Sequence, residues 1–388
     1  MLIAILHYSK PPVIGGVERV IGEQAAALRQ LGHEVEILTC KEWHMAAWDA
    51  VIVHNVFTMP FDLPWTKQLI KLTRTRPDIR WINWVHDVRW SAQVPQAVHV
   101  AVSEFRRQDY AKVTAETIHV IPNGCDAEAI LGLTDRVREL KLEHAGLVLL
   151  QPTRFVRRKN IEFGLRLLAE LPDALYLVTA APDPHQKDGA KYFRELKKLA
   201  KELGVTKRVR FLGEKGALTD HDVRSLYHMA DLLFFPSTQE GYGLPLIEAA
   251  LHGVPVFCSH IPAHREVAVG ATFFKLTASP KALARKIKSH PAVQARQLQR
   301  QMMVRLAWSR IVQEMLEPLL SGRNAPSVAA DEPILPQSRD RSRAGRTAPK
   351  RVRLPRGAWR WGGEAGGAHR AALRQRSGGH RRHRARGG

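Results

Sequence analysis

The sequence has few cysteines and no long hydrophobic run. Its three cysteines, Cys40, Cys125 and Cys258, are widely spaced, and no C-x-x-C pair occurs. This spacing argues against a disulfide framework and against a cysteine-based zinc site, so a reducing cytoplasmic location is the expectation. No apolar run reaches the ~20 residues that a membrane-spanning helix needs. The first ten residues, MLIAILHYSK, lack a basic segment and a small-residue cleavage site, and they predict a buried strand instead of a signal peptide.

Acidic residues are scarce, and the imbalance is concentrated at one end of the chain. The net charge is +22, and residues 321–388 carry 17 Arg and Lys against four Asp and Glu. This segment is rich in Arg, Gly, Pro and Ala without aliphatic periodicity, so a disordered basic tail is predicted. Such a tail would bind nucleic acid or anionic membrane without specificity, or it is an extension with no selected role.

The remaining chain alternates short apolar segments with amphipathic ones, which predicts α/β structure. Its length of 388 residues and apolar content of 45% are enough for two such domains. The predicted strands cover residues 2–7, 35–38, 50–54, 81–85, 98–103, 118–126, 147–150, 175–179, 209–213, 232–235, 254–258 and 273–276. The predicted helices cover residues 17–31, 65–75, 192–203, 222–229 and 302–320, with further helices starting near residues 161 and 245.

The most informative stretch is residues 232–256, LLFFPSTQEGYGLPLIEAALHGVPV. It predicts a buried strand, a turn, a helix with Pro245 in its first turn and Gly253 at its end. Glu240 lies on the loop and Glu248 about one turn into the helix, with seven residues between them. Ligands of open α/β sheets bind at such strand ends, so both carboxylates are candidates to accept hydrogen bonds from sugar hydroxyls. The simpler alternative is a strand–turn–helix with two solvated glutamates.

A cluster of cations follows the strand predicted at residues 147–150. Arg154, Arg157, Arg158 and Lys159 precede a helix that starts near residue 161. The positive end of a helix dipole disfavours cations unless an anion is bound, so this conflict indicates a phosphate. Arg forks onto two phosphate oxygens, and Lys acts as a point charge.

Two further features follow strand ends in the first half of the chain. Gly15 and Gly16 precede a helix whose N-terminus would hold a phosphate, although a tight turn explains them equally. His86 follows the strand at residues 81–85 and is a candidate polar group of the site or a structural loop residue; Asp87 would orient its imidazole or be structural.

A basic surface is also conceivable on the first domain. Lys67, Lys71 and Arg74 share one helix face. Together with four neighbouring arginines they would bind anionic lipid heads or an anionic acceptor, and the alternative is a solvated face. The four arginines are Arg76, Arg80, Arg106 and Arg107.

The order of these motifs resembles the family 4 retaining glycosyltransferases, which have the GT-B fold. EGYGLPLIE matches the E-x7-E signature, and GVPV, GGVERVIGEQAAALRQLGHEV and IPNGCD are also similar to family segments. The resemblance covers residues 1–320. It implies two Rossmann-like domains facing each other across a cleft, at residues 1–145 on the acceptor side and 146–300 on the nucleotide-sugar side. A terminal helix at 301–320 would cross back to the first domain, before the tail at 321–388.

The resemblance also implies residue roles. Arg154 and Lys159 would hold the donor diphosphate, Glu240 the donor sugar and Glu248 the ribose. His86 would contact the donor sugar or lie near the acceptor. The catalytic set would be His86, Glu240, Arg154 and Lys159. The donor-binding set would be Gly15, Gly16, Arg154, Lys159, Gly213, Glu240, Gly241, Tyr242, Gly243, Leu244 and Glu248.

The expected reaction is transfer of a hexose from a nucleoside-diphosphate sugar to an acceptor hydroxyl, with retention of configuration. No D-x-D pair is evident in the loops that would line the cleft, so neither a metal nor another cofactor is expected. A cytoplasmic enzyme that contacts the inner face of the membrane peripherally fits these features. Alternatives are a nucleotide-sugar epimerase, a phosphorylase-like enzyme, or an anion-binding or nucleic-acid-binding protein that acts through its tail. The base, the sugar and the acceptor stay open.

Overall fold

The structure, a computed structural model, describes residues 1–180, 187–268 and 270–323; the side chains of residues 187, 188 and 215 are outside this description. The predicted Arg-rich tail therefore falls almost wholly outside the described residues. None of the described helices is long and apolar enough to cross a membrane.

The first half of the chain forms a parallel sheet of six strands. Its strands are β1 (Leu2–Leu6), β2 (Glu34–Leu38), β3 (Ala50–His54), β4 (Arg80–Val85), β5 (Val98–Ala101) and β6 (Ile118–Val120). Their order is β2-β1-β3-β4-β5-β6. The helices of this half are α1 (Gly16–Gln30), α2 (Leu63–Thr75) and α3 (Glu104–Tyr110), followed by the short α4 (Ala127–Ile130) and α5 (Asp135–Arg138). The strand order reverses between β1 and β3, which is where a doubly wound sheet opens a ligand crevice.

The second half repeats this plan. Its strands are β7 (Leu147–Gln151), β8 (Ala174–Val178), β9 (Val209–Phe211), β10 (Leu232–Phe235), β11 (Val256–Ser259) and β12 (Thr272–Phe274). The parallel order β12-β11-β10-β7-β8-β9 is that of a Rossmann sheet, with the reversal between β7 and β10. The helices are α6 (Ile161–Ala169), α7 (Lys187–Glu202), α8 (Asp220–Met229), α9 (Leu244–Leu251), α10 (Pro262–Val267) and α11 (Pro280–Lys288). Two Rossmann-like sheets in one chain confirm the predicted fold class.

Both sheets are buried on both faces, as parallel sheets covered by helices must be. Along β7, Leu147 and Leu149 contribute to one core, while Val148 and Leu150 contribute to the core on the opposite face. Strand β1 alternates in the same way, between the two cores of the first sheet. Because every β7 residue is buried, the strand reads in the sequence as a continuous apolar run.

The predicted terminal helix at 302–320 is wrong as a single element. Helix α12 (Pro291–Arg305) ends before Leu306, and α13 (Trp308–Ile311) begins a new helix that continues through the π-helical residues 312–316 into α14 (Glu317–Leu320). The two parts belong to different cores. On α12, buried Arg300 binds Asp231 at 2.7 Å (Nη2–Oδ2), next to the second sheet. From Trp308 onward, side chains pack in the core of the first sheet.

A contact with the linker marks the break. The Leu306 carbonyl accepts a hydrogen bond from the backbone N–H of Cys125 at 2.8 Å. Gly124 lies under the Trp308 indole, where a Cβ would come within 2.6 Å of the ring. The carbonyl of Leu306 is therefore used by the linker loop, and the chain passes from the core of the second sheet to that of the first at this point instead of continuing one helix.

Several element ends also differ from the predictions. Strand β6 stops at Val120, so IPNGCD is a loop. Strand β9 stops at Phe211, and Gly213 lies in a 3₁₀ turn, Leu212–Lys215. Helices α3, α11 and most of α12 had no predicted counterpart. Strands end early at these points because tertiary pairing, not propensity, sets their length.

Candidate active site

The second sheet places the predicted charged residues at its reversal point. The loop after β7 carries Arg154 and Lys159, and the loop after β10 carries Glu240. Hydrogen bonds join the two loops: Thr238 N–H donates to the Arg158 carbonyl at 2.8 Å, and the Asn160 amide donates to the Pro236 carbonyl at 3.2 Å. Asn160 adopts the left-handed conformation at the start of α6, with φ 50°. Two segments that are 80 residues apart in sequence thus form one charged cluster.

Glu240 is the centre of that cluster. Its carboxylate accepts hydrogen bonds from Lys159 Nζ at 2.5 Å and from Arg158 Nη1 at 2.9 Å. The carboxylate side chain is only 6% exposed. Burial alone would raise the pKa of Glu240, but the hydrogen bonds from Lys159 and its neighbours bring it below its usual value. Burial lowers the pKa of Lys159, against the opposing effect of Glu240.

This geometry revises one step of the phosphate argument. Arg158, to which the resemblance assigned no role at the diphosphate, is an ion-pair partner of Glu240. Arg157 pairs with Glu195 at 2.6 Å and lies over the Tyr192 ring. The anion that offsets the cations before α6 is therefore a carboxylate of the same chain. Arg154 is exposed, and among the described residues no carboxylate lies within ion-pair distance of it. It is the cation of the four that is free to meet an incoming anion.

The loop between Glu240 and α9 is open to solvent. Gly241, Tyr242 and Leu244 are exposed. Gly243 caps the helix with φ 101°, a conformation that favours glycine, and a Cβ there would come within 2.9 Å of Leu246. The helix N-terminus thus starts at the predicted place and leaves backbone around it accessible.

Glu248 lies on α9 with its side chain exposed, and it has a partner that the sequence did not reveal. The hydroxyl of Tyr227, on α8, donates to Glu248 Oε2 at 2.8 Å. Tyr227 is buried and stacks on His252, with ring centroids 5.1 Å apart. Tyr227 therefore fixes the direction of the Glu248 carboxylate. The sequence gives no local sign of this contact, because Tyr227 occupies an apolar helix position and Glu248 follows 21 residues later.

The glycines of the first domain lie where they were predicted. Helix α1 begins at Gly16, and a Cβ there would meet nothing within 4 Å. A Cβ at Gly15 would collide with the carboxylate of Glu18, which accepts a hydrogen bond from the Ser9 hydroxyl. This hydrogen bond lowers the pKa of Glu18. A carboxylate thus already faces the first turn of α1.

His86 follows β4, as predicted, but its partner was not predicted. Its Nε2 lies 2.9 Å from Nδ1 of His54, which ends the neighbouring strand β3, and the two rings stack with centroids 5.2 Å apart. Its backbone N–H donates to Asn55 Oδ1 at 2.8 Å. Asp87 does not contact the imidazole, because its carboxylate pairs with Arg106 at 3.1 Å. Of the two alternatives for Asp87, its contact with Arg106 favours the structural one.

Burial lowers the pKa of His86 to about 3, and the positive charges of His7 and Arg106 act in the same direction. The pKa of His54, which is fully buried, lies well below its usual value for the same reason. Both imidazoles are therefore neutral near pH 7. His7, His54 and His86 end the adjacent strands β1, β3 and β4, so strand order would have revealed the group where sequence spacing did not.

The predicted basic surface is largely neutralised. Arg76 pairs with Asp78, Arg107 with Glu104, and Arg106 with both Asp87 and Asp109. Arg80 donates to the Leu319 carbonyl at 2.8 Å. Lys67, Lys71 and Arg74 are exposed on α2, so the surface shrinks to one helix face.

The two groups of site residues stay separate. Within residues 1–180, 187–268 and 270–323, no hydrogen bond or ion pair links His86 or Gly16 to Lys159, Glu240 or Glu248. In the same residues no cluster of three or more His, Cys, Asp and Glu side chains is arranged to hold a metal ion.

Comparison with known proteins identifies the second half of this arrangement. Residues 135–302 match the family model described as glycosyl transferases group 1. Both carboxylates and both phosphate-binding candidates of the second domain lie within the match.

Curated relatives are similar over shorter stretches. Mannosylglucosylglycerate synthase of Thermotoga maritima is 26% identical over 201 residues, which is 46% of either chain. Mannosylfructose-phosphate synthase of Agrobacterium fabrum is 28% identical over 155 residues, 38% of this chain and 33% of the relative. D-inositol 3-phosphate glycosyltransferase of a Mycobacterium species is 36% identical over 135 residues, 35% of this chain and 27% of the relative. The chain spans less than half the length of these relatives.

Solved structures are similar over more of the chain at low identity. A glycosyltransferase from Rickettsia africae is 18% identical and covers 82% of this chain and 98% of its own, with a TM-score of 0.36. Anabaena HepE, in complex with UDP and glucose, is 19% identical and covers 83% and 100%, also with a TM-score of 0.36. The similarity to the group 1 glycosyltransferases rests on the sequence match of residues 135–302 alone.

Proposed function

We propose that this protein is a retaining glycosyltransferase that moves a hexose from a nucleoside-diphosphate sugar to an acceptor hydroxyl. The observation that carries the proposal is the charged cluster of Lys159, Arg158 and Glu240 beside Arg154, which has no carboxylate partner among the described residues. It lies at the reversal point of a Rossmann sheet, inside the segment that matches the glycosyltransferase family. Cations at this position are suited to a departing diphosphate, where negative charge develops.

Each residue has a role in this proposal. Arg154 and Lys159 stabilise the diphosphate, with the backbone of Gly16 as a further donor. Glu240 accepts from hydroxyls of the sugar, and Glu248, directed by Tyr227, accepts from the ribose diol. In the structure Lys159 is hydrogen-bonded to Glu240. When the donor binds, Lys159 must therefore turn hydrogen bonds to the diphosphate, and Glu240 must accept hydrogen bonds from the sugar. His86 contacts a sugar hydroxyl or the acceptor.

The proposal requires no metal and no other cofactor. The residues assigned to the leaving diphosphate are cations, which supply the charge stabilisation that a divalent ion would otherwise give. We expect transfer to continue in the presence of EDTA. Loss of turnover on chelation, restored by added Mg²⁺ or Mn²⁺, would contradict this part.

The acceptor and the cellular location are also proposals. The exposed cations Lys67, Lys71 and Arg74 on α2 favour a peripheral contact with anionic lipid from the cytoplasmic side. Binding of the full chain to vesicles of phosphatidylcholine with and without phosphatidylglycerol tests it. Equal binding to both kinds of vesicle, or no binding to either, would indicate that Lys67, Lys71 and Arg74 form a solvated helix face.

The first experiment is thermal unfolding of the full-length protein with UDP, GDP, ADP and dTDP and with their glucose, mannose and galactose derivatives. Two curated relatives are named for mannosyl products, so mannose donors belong in the panel. A ligand at 100 times its dissociation constant adds about 2.7 kcal/mol of stability. We expect one base to stabilise the protein, and Arg154→Ala and Glu248→Ala to lose the effect.

Arg157→Ala is the matched control, because Arg157 is an exposed arginine of the same loop that pairs with Glu195. It should keep the ligand effect. No stabilisation of wild-type protein by any nucleotide would contradict the donor site. Product analysis with and without acceptor then separates transfer from epimerisation, which needs no acceptor.

A further inference from the structure

We propose that His54 is a positioning residue that holds His86 as its Nε2–H tautomer, so that the bare Nδ1 of His86 accepts a hydrogen bond from a sugar hydroxyl. The identity of the ligand rests on the proposed function. The tautomer does not, because it follows from contacts within the first domain.

This tautomer is supported by a continuous series of contacts between polar side chains. Gln24 Oε1, on α1, lies 3.0 Å from His54 Nε2. His54 Nδ1 lies 2.9 Å from His86 Nε2, and His86 Nδ1 lies 3.5 Å from the amide nitrogen of Asn123. Gln24 and His54 are fully buried. Four side chains from α1, β3, the end of β4 and the interdomain linker are therefore coupled.

The two amides at the ends determine where the protons lie. An amide oxygen only accepts, so His54 must donate to Gln24 through an Nε2–H, which leaves its Nδ1 bare. His86 must then donate to His54 through its own Nε2–H, which leaves His86 Nδ1 bare. At the other end, the amide nitrogen of Asn123 donates toward that same Nδ1. The amides of Gln24 and Asn123 therefore specify the same positions for the protons of the two imidazoles.

Of the two nitrogens of His86, Nδ1 is the one available to a ligand. Nε2 is fully used by buried His54, whereas the contact of Nδ1 with Asn123 is at the long limit of a hydrogen bond. Among the described residues, Asn123 Oδ1 is buried without a hydrogen-bond partner. The bare His86 Nδ1 and the Asn123 amide oxygen are both acceptors, which suits a neutral hydroxyl group that donates and not a phosphate, which only accepts.

Neutrality of the pair is needed for this argument, and burial provides it. The pKa of His86 falls to about 3 through burial, with added repulsion from His7 and Arg106. Glu18 lies 4.0 Å from Nε2 of His7, and no ion pair joins a carboxylate to His54 or His86 among the described residues. A protonated His86 would carry hydrogens on both nitrogens and could not accept.

The test is the ring ¹⁵N spectrum of the full-length protein labelled at histidine, since bare and protonated ring nitrogens have distinct shifts. The chain has 18 histidines, so His86 is assigned by the signals lost in His86→Asn. We expect the Nε2–H tautomer in the wild type and a shift toward the Nδ1–H tautomer in His54→Phe. His99→Phe is the matched control: His99 is equally buried, on β5, and contacts Asn83 and Tyr110.

Gln24→Met is a second test if His54→Phe fails to fold. It removes the amide oxygen to which His54 donates and leaves both imidazoles in place. It should also populate the Nδ1–H tautomer. An Nδ1–H tautomer in wild-type protein, or a His86 spectrum that neither variant changes, would overturn the proposal.

Ligand binding tests the second half of the proposal. Dissociation constants for UDP-glucose and GDP-mannose are compared with those for UDP and GDP. In His54→Phe we expect the sugar nucleotide that binds wild type to bind about fivefold to tenfold more weakly, the effect of one hydrogen bond, with the matching diphosphate unchanged. His54→Gln, whose amide both accepts and donates, should restore part of the loss. Equal weakening of sugar nucleotide and diphosphate would overturn the assignment to a sugar hydroxyl. If none of the four probes binds wild-type protein, the proposed function fails, while the tautomer result still supports the role of His54.

Discussion

The two sheets place opposite kinds of chemistry at their reversal points. At the second sheet, Glu240 pairs with both Lys159 and Arg158, and each ion pair lowers the cost of burying its charges. At the first sheet, His54 and His86 are neutral, because burial keeps their pKa values far below neutral pH. In the proposed function, the charged groups of the second sheet bind the diphosphate and the sugar. The neutral imidazole of His86 at the first sheet accepts a hydrogen bond from a hydroxyl.

Removing Lys159 should have the largest effect on this contrast. Lys159→Ala leaves the buried Glu240 carboxylate with Arg158 as its remaining cation. We expect turnover to fall about 10²- to 10³-fold, as for loss of a group that stabilises transition-state charge. We also expect unfolding to become easier by about 1–3 kcal/mol, because a buried acceptor loses its partner. Steady-state kinetics and urea unfolding measure both. Unchanged turnover with a folded protein would remove Lys159 from the site.

Arg154→Ala should separate activity from stability. The side chain is exposed and has no carboxylate partner among the described residues, so its loss costs the fold little. Turnover should still fall about 10²-fold if the guanidinium meets the diphosphate. Arg157→Ala, in the same loop, should alter turnover less than twofold. If the two variants behave alike, the loop does not discriminate between its arginines and the assignment of Arg154 is wrong.

Acid should destabilise the protein partly through the histidines of the first sheet. The pKa of His86 is about 3 in the folded protein and near 6.5 in the unfolded chain, so the unfolded state binds more protons between these values. Stability is therefore complete above about pH 6.5 and falls by about 1.4 kcal/mol per pH unit below it for this residue. His86→Gln should reduce the slope of unfolding free energy against pH by one proton. A slope equal to that of the wild type would show that His86 is not held neutral.

Tyr227→Phe should have the smallest effect of the four. It removes the hydroxyl that donates to Glu248 and keeps the buried ring stacked on His252. We expect KM for the sugar nucleotide to rise about fivefold with kcat nearly unchanged, since the ribose is bound equally in ground and transition states. A fall in kcat without a change in KM would indicate a role in the chemical step. Tyr192→Phe, another buried tyrosine that donates to a glutamate, is the matched control.

Local sequence was enough to predict elements that have a clear hydrophobic pattern or clear turn residues along their whole length. The amphipathic period of α1, the apolar run of β7 and the turn before α9 predicted these elements to within one or two residues. The charged residues after β7 and β10 were predicted as one site by the resemblance to the family 4 glycosyltransferases. The roles of the individual site residues stay predictions until ligand binding is measured.

The break at Leu306 and the partner of His86 were not predictable in this way. A continuous helical pattern through residues 302–320 gives no sign that its halves pack in two different cores. Likewise, nothing near His86 in sequence distinguishes Asp87 from His54 as its partner, although the former is adjacent and the latter is 32 residues away.

The sequence by itself determined which segments become strands and helices, and where along the chain charged and polar residues follow strand ends. Hydrophobic period and turn residues act over a few positions, so they are legible without the fold. Only the tertiary structure decided which of those strand ends are neighbours. The strand order put His54 beside His86 and brought Glu240 to Lys159 and Arg158, while a hydrogen bond between α8 and α9 joins Tyr227 to Glu248. The protonation of His54 and His86 follows from burial, which depends on packing between segments far apart in the chain.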